Sequence, residues 1–444
     1  MDILITHVSV VTMDENLTVL TDAFLGVKDG KIAYLAKTAP DGAEKPKKII
    51  DGTGMVVMPG LINCHTHLPM SILRSVSDDC NLNDWLHGLW EKEARLDDRA
   101  VKASTLLGIM ECLRFGVTSV SDMYDHVDAI AEAVAQSGIK ANLARGTTMF
   151  LGEEFDDRTF PACKELREVT RKWNGYDDGR IKIEASIHGE YTSTSNFWDF
   201  AARFAQEEEL GMHIHLSETS GEQEGSLERN GLTPAQALDC HRVFDGRTIA
   251  AHCVHLTEED MQLLGKRKVT AVHCPVSNLK LASGRADVIA MVQHGMNVAL
   301  GTDSSCSNNN LDLFEELKLT ALQAKELHGD ASKLTAAAAL MMATTCGARA
   351  QGRENECGML KVGMDADLCM LDFTQPHLIP CHDLMSHLVY AASGHDVVLT
   401  MVRGKILYAA GAYPTIDREA LMKELMEYAI PKVMTPEEKE ETNG

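Results

Sequence analysis

The sequence is short of several features, and each shortage excludes something. Aromatic residues make up only 5% of its 444 positions, and no apolar run approaches the ~18 residues of a membrane-spanning helix. Basic residues are scarce: Lys and Arg total 42 against 65 Asp and Glu, a net charge of −23. So acidic a surface repels a phosphate backbone, which excludes nucleic acid as a partner. The 12 cysteines are scattered, with no pair closer than Cys346 and Cys357, so there is no C-x-x-C knuckle. A zinc ribbon is excluded, and reduced, mostly buried thiols are expected in place of a disulfide framework. Met1-Asp2-Ile3-Leu4 has no basic stretch ahead of an apolar one, so no signal peptide is expected and the expected compartment is the cytoplasm. What remains is ordinary folded protein: 45% hydrophobic, 24% charged, long enough for one large barrel with an added module.

The chain ends read as β structure. Ile3–Val11, Ala23–Lys28, Lys31–Leu35, Ile49–Asp51 and Met55–Met58 alternate or run apolar, with Asp29-Gly30 as a hairpin turn. The same texture returns at Asp367–Asp372, Val397–Val402 and Lys405–Tyr408, with Arg403-Gly404 as the turn. Residues 1–57 and 359–415 are therefore expected to form one small β-sandwich domain, with a helix and tail over 416–444. Pro436–Glu441 is a charge run, expected as a solvated end.

The middle, 58–358, alternates strand-like and helical stretches. Eight strands are expected, ending near His67, Met123, Gly146, Gly189, Glu218, His255, Pro275 and Asp303. Asp98–Phe115, Val127–Ser137, Trp198–Glu209, Pro234–His241, Glu258–Leu264 and Arg285–His294 read as helices between them. The natural closure of that repeat is an α/β fold, a (β/α)8 TIM-type barrel. An open doubly wound sheet competes, but no Gly-x-Gly-x-x-Gly follows the first strand.

In such a barrel the chemistry stands at the C-terminal strand ends. Those ends carry His65, His67, Asp122, Arg145, His188, His213, His215, Glu218, His252 and Asp303. Alternate residues of a strand share a face, so His65 and His67 project together, as do His213 and His215. His215 lies nearer the strand end and is the better ligand, with His213 behind it. Asp303, on the last strand and beside the first once the barrel closes, completes a set of three nitrogens and one oxygen with an open position. That is the arrangement of a catalytic zinc.

Pro59-Gly60-Leu61-Ile62-Asn63-Cys64-His65-Thr66-His67, His213-Ile214-His215-Leu216-Ser217-Glu218-Thr219, Ala251-His252-Cys253-Val254-His255, Ser277-Asn278-Leu279-Lys280-Leu281 and Gly301-Thr302-Asp303 together resemble the amidohydrolase superfamily. More narrowly, they resemble the 5′-methylthioadenosine/S-adenosylhomocysteine deaminases. The resemblance implies His65, His67, His215 and Asp303 as ligands of one divalent metal, zinc first, with iron or nickel fitting the same donors. It implies Glu218 and His252 as catalytic partners. It further implies Glu93 for ribose hydroxyls, His188 for the nucleoside, Trp85 for apolar packing and Arg145 for a substrate carboxylate. Trp85 also reads as a plain core aromatic, and Arg145 as one half of a salt bridge inside the barrel. Asp122 reads as a structural acid, and the 149–171 stretch, with Arg158, fits no assigned role.

The expected reaction is hydrolytic deamination of a small nucleoside. A bound zinc lowers the pKa of its water to ~7; Asp303 takes the water proton, Glu218 protonates the ring nitrogen, and His252 steadies the tetrahedral centre. A binuclear centre would need a Lys at the end of the fourth strand, where His188 stands instead. His188-Gly189-Glu190 matches half of the His-x-Glu, Pro-Cys-x-x-Cys deaminase pattern, but no second half follows. The alternatives are a deaminase of guanine or another aminated heterocycle, a triazine-type hydrolase, and an inactive metal-binding scaffold. A homo-oligomer is compatible with all of them.

Overall fold

The computed structural model describes residues 1–40, 45–80, 82–149 and 155–434. The expected charged end at Pro436–Glu441 lies outside them. From the N-terminus come β1 (Ile3–Val11), β2 (Val19–Lys28), β3 (Lys31–Ala36), β4 (Lys48–Asp51) and β5 (Met55–Pro59). The barrel strands follow as β6 (Leu61–Thr66), β7 (Val117–Tyr124), β8 (Lys140–Arg145), β9 (Ile181–Ile187), β10 (Gly211–Leu216), β11 (Thr248–His252), β12 (Thr270–His273) and β13 (Asn297–Leu300). The chain then returns with β14 (Leu368–Asp372), β15 (Val397–Val402) and β16 (Lys405–Ala409).

Strands β6 to β13 pair in sequence order, all parallel, as eight strands of one sheet. They read as near-continuous apolar runs because parallel strands are covered on both faces; every residue of β10 and β11 is buried. The ends of the sheet meet where the Asp303 amide donates to the His65 carbonyl (3.0 Å) and Asn63 Nδ2 donates to Thr302 Oγ1 (2.7 Å). Gly301 makes this seam possible, since a Cβ there would sit 2.8 Å from the His65 Cβ.

The two chain ends form a second sheet that branches at β1: the first half of β1 pairs with β4 and the second half with β5, while β2 pairs along its other edge. β5 pairs with β14, which carries β15 and β16. This sheet wraps a core of its own, including Ile5, Val10, Leu25, Val57, Leu368 and Met401. Asp29-Gly30 and Arg403-Gly404 both have positive φ at each residue, the conformation that two-residue hairpin turns require. The sheet is fixed to the barrel base by Lys140 of β8, whose buried Nζ meets Asp365 (2.8 Å) and Asp367 (2.6 Å). The closing helical segment, Arg418–Val433, packs on the helix Asp98–Arg114, with Tyr428 donating to Asp97.

Most barrel strands end earlier than expected. The strands stop at Leu216, His252 and Leu300, and at or just past those ends the backbone turns: Ser217, His252 and Asp303 have φ of 49°, 72° and 61°. A left-handed φ cannot continue a strand. Among the helices, Ser195–Glu207 begins before the expected Trp198, and Val288–Gln293 is shorter than the expected Arg285–His294. No helix among the described residues is long and apolar enough to cross a membrane.

Candidate active site

At the C-terminal mouth of the barrel the histidines are oriented by backbone carbonyls. His215 Nδ1 donates to the His188 carbonyl (2.6 Å) and His67 Nδ1 donates to the Met123 carbonyl. His65 Nδ1 is hydrogen-bonded to His213 Nε2 at 2.9 Å, so His213 stands behind the ligand pair as expected. Each of His65, His67 and His215 is thereby left with Nε2 facing inward. His67 Nε2 lies 3.3 Å from His215 Nε2, and Asp303 Oδ1 lies 3.3 Å from His67 Nε2 and 3.6 Å from His65 Nε2.

Those separations test whether the residues fit a metal. Ligands ~2.0–2.1 Å from a tetrahedral centre are ~3.3–3.4 Å apart. His65 Nε2 is buried with no hydrogen-bond partner among the described residues, an expensive state for a polar atom unless a ligand meets it. His65, His67 and Asp303 form one group able to hold an ion, and His65, His215 and His252 a second that overlaps it. The donors fit a divalent cation. Lys182 is far from this mouth in the fold, bonded to the Gly352 carbonyl and Glu356.

Burial holds His65 and His215 well below the usual imidazole range, and His188 at about 4, in the neutral form. Neutral imidazole is the form that ligates. Burial would lower His67 too, but the facing Asp303 carboxylate holds it at about 9, so it must give up its proton to ligate. Burial would raise the Asp303 carboxyl, but the facing imidazoles of His65 and His67 keep it well below the usual range. Ser277 and Ser307 donate to its Oδ2 at 2.6 and 2.8 Å, and the Ser304 amide donates to Oδ1 at 2.7 Å, the oxygen that faces His65 and His67. Glu218 is the contrary case: burial pushes its carboxyl up, the imidazole of His252 opposing. Its Oε2 stands 3.8 Å from His252 Nε2.

The floor of this cluster opens into a cavity of about 380 Å³ lined by His67, His188, His215, Glu218, His252 and Asp303, and higher up by Trp85, Glu93 and Tyr124. Every expected ligand but the buried His65 reaches the cavity, and so do Glu218, His252, Trp85, Glu93 and His188. Glu93 accepts from Tyr124 Oη at 2.6 Å, and burial raises its carboxyl. Arg145 is not among the lining residues. Its guanidinium is taken up by Asp125 (2.7 Å), Glu165 (3.0 Å) and the Gly146 carbonyl (2.5 Å), the salt-bridge alternative of the two left open by the sequence. Asp122 accepts from the Leu68 amide and Thr66 Oγ1 (2.6 and 2.8 Å), anchoring the backbone on either side of His67. Arg158 is exposed and paired with Asp156, while residues 150–154 of the same stretch lie outside the described residues.

Sequence reasoning missed several residues here. Tyr124, Asp125 and Tyr191 line the cavity. Glu222, pushed up to about 7 by burial, accepts from the amides of Ser217 and Glu218 and fixes the turn that aims Glu218. Asn278 and Ser283 touch His252 and Glu218. Two signals among these were local: the i to i+4 spacing of Glu218 and Glu222, and the Ser277-Asn278-Leu279-Lys280-Leu281 motif, which carried Asn278 without a role.

Residues 56–407 match the sequence model of the amidohydrolase family. The chain is 40% identical over 432 residues to a 5-methylthioadenosine/S-adenosylhomocysteine deaminase of Acetivibrio thermocellus, covering 97% of this chain and 99% of that one. It is 40% identical over 424 residues to a 5′-deoxyadenosine deaminase of Methanosarcina acetivorans, covering 95% and 96%. The solved structure of an adenosine deaminase from Xanthomonas campestris with bound zinc superposes with a TM-score of 0.91 at 33% identity, covering 97% of this chain and 98% of that one. With its barrel, its strand-end histidines and these relatives in agreement, the chain belongs to the amidohydrolase family.

Proposed function

We propose that this protein is a metal-dependent aminohydrolase of adenine nucleosides, converting S-adenosylhomocysteine, 5′-methylthioadenosine or adenosine, with water, to the inosine analogue and ammonia. The observation that carries the reading is the buried Glu218 carboxyl, three residues past His215 and 3.8 Å from His252, on the floor of a ligand-sized cavity. Relatives named for S-adenosylhomocysteine, 5′-methylthioadenosine and 5′-deoxyadenosine support it, because those nucleosides share the aminated base and the ribose and differ only at the 5′ position.

His65, His67, His215 and Asp303 would hold one divalent ion, zinc by its preference for imidazole and carboxylate donors in an open site, with iron or nickel suited to the same set. When bound, such an ion lowers the pKa of a water to ~7 and so supplies a nucleophile at neutral pH. Asp303 accepts the proton of the attacking water, its carboxylate being oriented by Ser277 and Ser307 at Oδ2 and by the Ser304 amide at Oδ1. Glu218, favoured by burial in its protonated form, gives its proton to the ring nitrogen beside the amino-bearing carbon, which makes that carbon electrophilic. His252 Nε2 orients the water and steadies the oxygen of the tetrahedral centre. Asp303 then delivers the proton it took to the amine, the C–N bond breaks and ammonia leaves, and the hydroxyl proton of the added water returns to Glu218 as the carbonyl forms.

Glu93 is assigned to the ribose hydroxyls, His188 to the nucleoside and Trp85 to apolar packing. Glu93 also separates the readings: a free base such as guanine leaves a buried carboxylate without a partner beyond Tyr124. A carboxylate contact from Arg145 is not part of the proposal, since two protein carboxylates already hold it. The test is metal analysis of the purified protein, followed by an ammonia-release screen over adenosine, 5′-deoxyadenosine, 5′-methylthioadenosine, S-adenosylhomocysteine and guanine. Release from the nucleosides is expected. Release from guanine alone, or from none, would overturn the reading.

A further inference from the structure

Three groups in this site handle protons, and they come from three different strands: Glu218 after β10, His252 at the end of β11 and Asp303 after β13. All three are touched by one short segment that carries no metal ligand, the helix Pro275–Lys280 and the turn that follows it to Ser283. Ser277 Oγ donates to Asp303 Oδ2 (2.6 Å), His252 Nδ1 donates to Asn278 Oδ1 (2.9 Å), and Ser283 Oγ donates to Glu218 Oε1 (3.2 Å). We propose that Ser277, Asn278 and Ser283 are positioning residues, each setting the orientation of one proton-handling group.

The packing argues against a merely structural role. All three side chains are buried, Ser277 at 0%, Asn278 at 1% and Ser283 at 6% exposure. Asn278 Nδ2 has no hydrogen-bond partner among the described residues, so the side chain carries the cost of a buried unpaired donor while its one bond goes to His252. A leucine would fill similar volume without that cost. The asparagine is therefore accounted for by His252: with Nδ1–H committed to Asn278, Nε2 alone faces Glu218 and the cavity. The segment itself is held independently of these contacts. The Ser283 amide closes onto the Asn278 carbonyl (2.8 Å), His255 Nε2 donates to the Ser283 carbonyl (2.7 Å), and Lys280 Nζ reaches Asp78 and the Cys306 carbonyl (2.6 and 2.8 Å). Deleting one polar side chain should thus leave the segment in place and loosen only its target, Asp303 keeping Ser307 on Oδ2 and the Ser304 amide on Oδ1.

The three targets differ in task, which gives the test its resolution. Ser277→Ala loosens a metal ligand, so zinc affinity, read by competition with a chromophoric chelator, should fall by the ~10- to 100-fold typical of groups that orient a ligand. Ser283→Ala and Asn278→Leu should leave zinc affinity as it is and lower kcat on 5′-methylthioadenosine by ~10-fold or more, with KM little changed. Asn278→Asp, which keeps an acceptor oxygen toward His252 Nδ1, should recover most of the kcat lost in Asn278→Leu. Equal losses of zinc affinity, kcat and melting temperature in all of the variants would overturn the proposal, as would Asn278→Asp failing as badly as Asn278→Leu. The kcat arms rest on the deaminase reading. The zinc arm does not: if the wild-type protein releases no ammonia, an unchanged zinc affinity in Ser277→Ala overturns the positioning role, and a weakened one upholds it.

Discussion

Replacing Glu218 by glutamine separates proton transfer from everything else the site does. The amide has the size of the carboxyl it replaces, and its backbone remains held by Glu222, whose Oε2 accepts from the Glu218 amide at 2.8 Å. Glu218 contributes no donor to the His65, His67 and Asp303 group, so metal content should be unchanged. An amide cannot give a proton to the base, and a general acid or base supplies ~10²- to 10⁴-fold, or ~2.7 to 5.4 kcal/mol of barrier. The same substitution should make the fold more stable. Burial raises the Glu218 carboxyl above its ordinary 4.5, so the unfolded chain gives up this proton at lower pH than the folded one. Wild-type stability therefore falls as pH rises from the unfolded value through the folded one, and Glu218→Gln escapes that loss. Steady-state kinetics, metal analysis and urea unfolding at pH 7 together read all three effects. A rate within threefold of wild type would refute the proton-transfer role, and activity lost in step with metal would make Glu218 a ligand.

Asp303→Ala should abolish both tight metal binding and turnover, and a chelator should do the same to the wild-type protein reversibly, zinc restoring the rate; an Asp303→Ala protein with normal metal content and rate would overturn the ligand assignment. Arg145→Met should lower S-adenosylhomocysteine, 5′-methylthioadenosine and adenosine turnover alike, with a stability loss of ~1 to 2 kcal/mol, between the ranges for exposed and buried ion pairs. A loss confined to S-adenosylhomocysteine would instead restore Arg145 as a carboxylate binder. Lys140→Met should cost ~3 to 5 kcal/mol in urea unfolding, because it strands buried Asp367, whose Oδ2 faces Lys140 Nζ and has no other partner among the described residues. Asp365 adds a pH signature: Lys140 and Lys31 hold its carboxyl at about 2 against burial, so its stabilisation is present above 3.8 and is lost as pH falls through about 2.

The candidate metal ligands were legible because they depend on a local rule. Alternation along β6 and β10 puts His65 with His67 and His213 with His215 on shared faces, and the repeat of strand and helix brings Asp303 back beside His65. Arg145 shows where the same rule fails. Its position at the end of β8 was readable, but the partners that occupy it, Asp125 and Glu165, come from other parts of the chain. Tyr124 and Glu93 meet only because the helix Leu82–Glu93 crosses the mouth, which no periodicity announces.

The same division explains why the strand ends were overrun. Extended alternation predicts continued strand through Glu218, His255 and Asp303, whereas the backbone turns to positive φ at Ser217, His252 and Asp303. Non-glycine residues in that region cost ~1 to 3 kcal/mol each and persist only where surroundings over-determine them. Here the surroundings are visible: Glu222 accepts from the Ser217 amide, Asn278 takes His252 Nδ1, and the Asp303 amide closes the barrel on His65. Each turn swings a side chain off the sheet and over the cluster of imidazoles, a direction that a regular strand could not give it. The chemistry therefore begins where the local rule ends, and the residues that hold those turns are the ones a reading of single strands is least able to find.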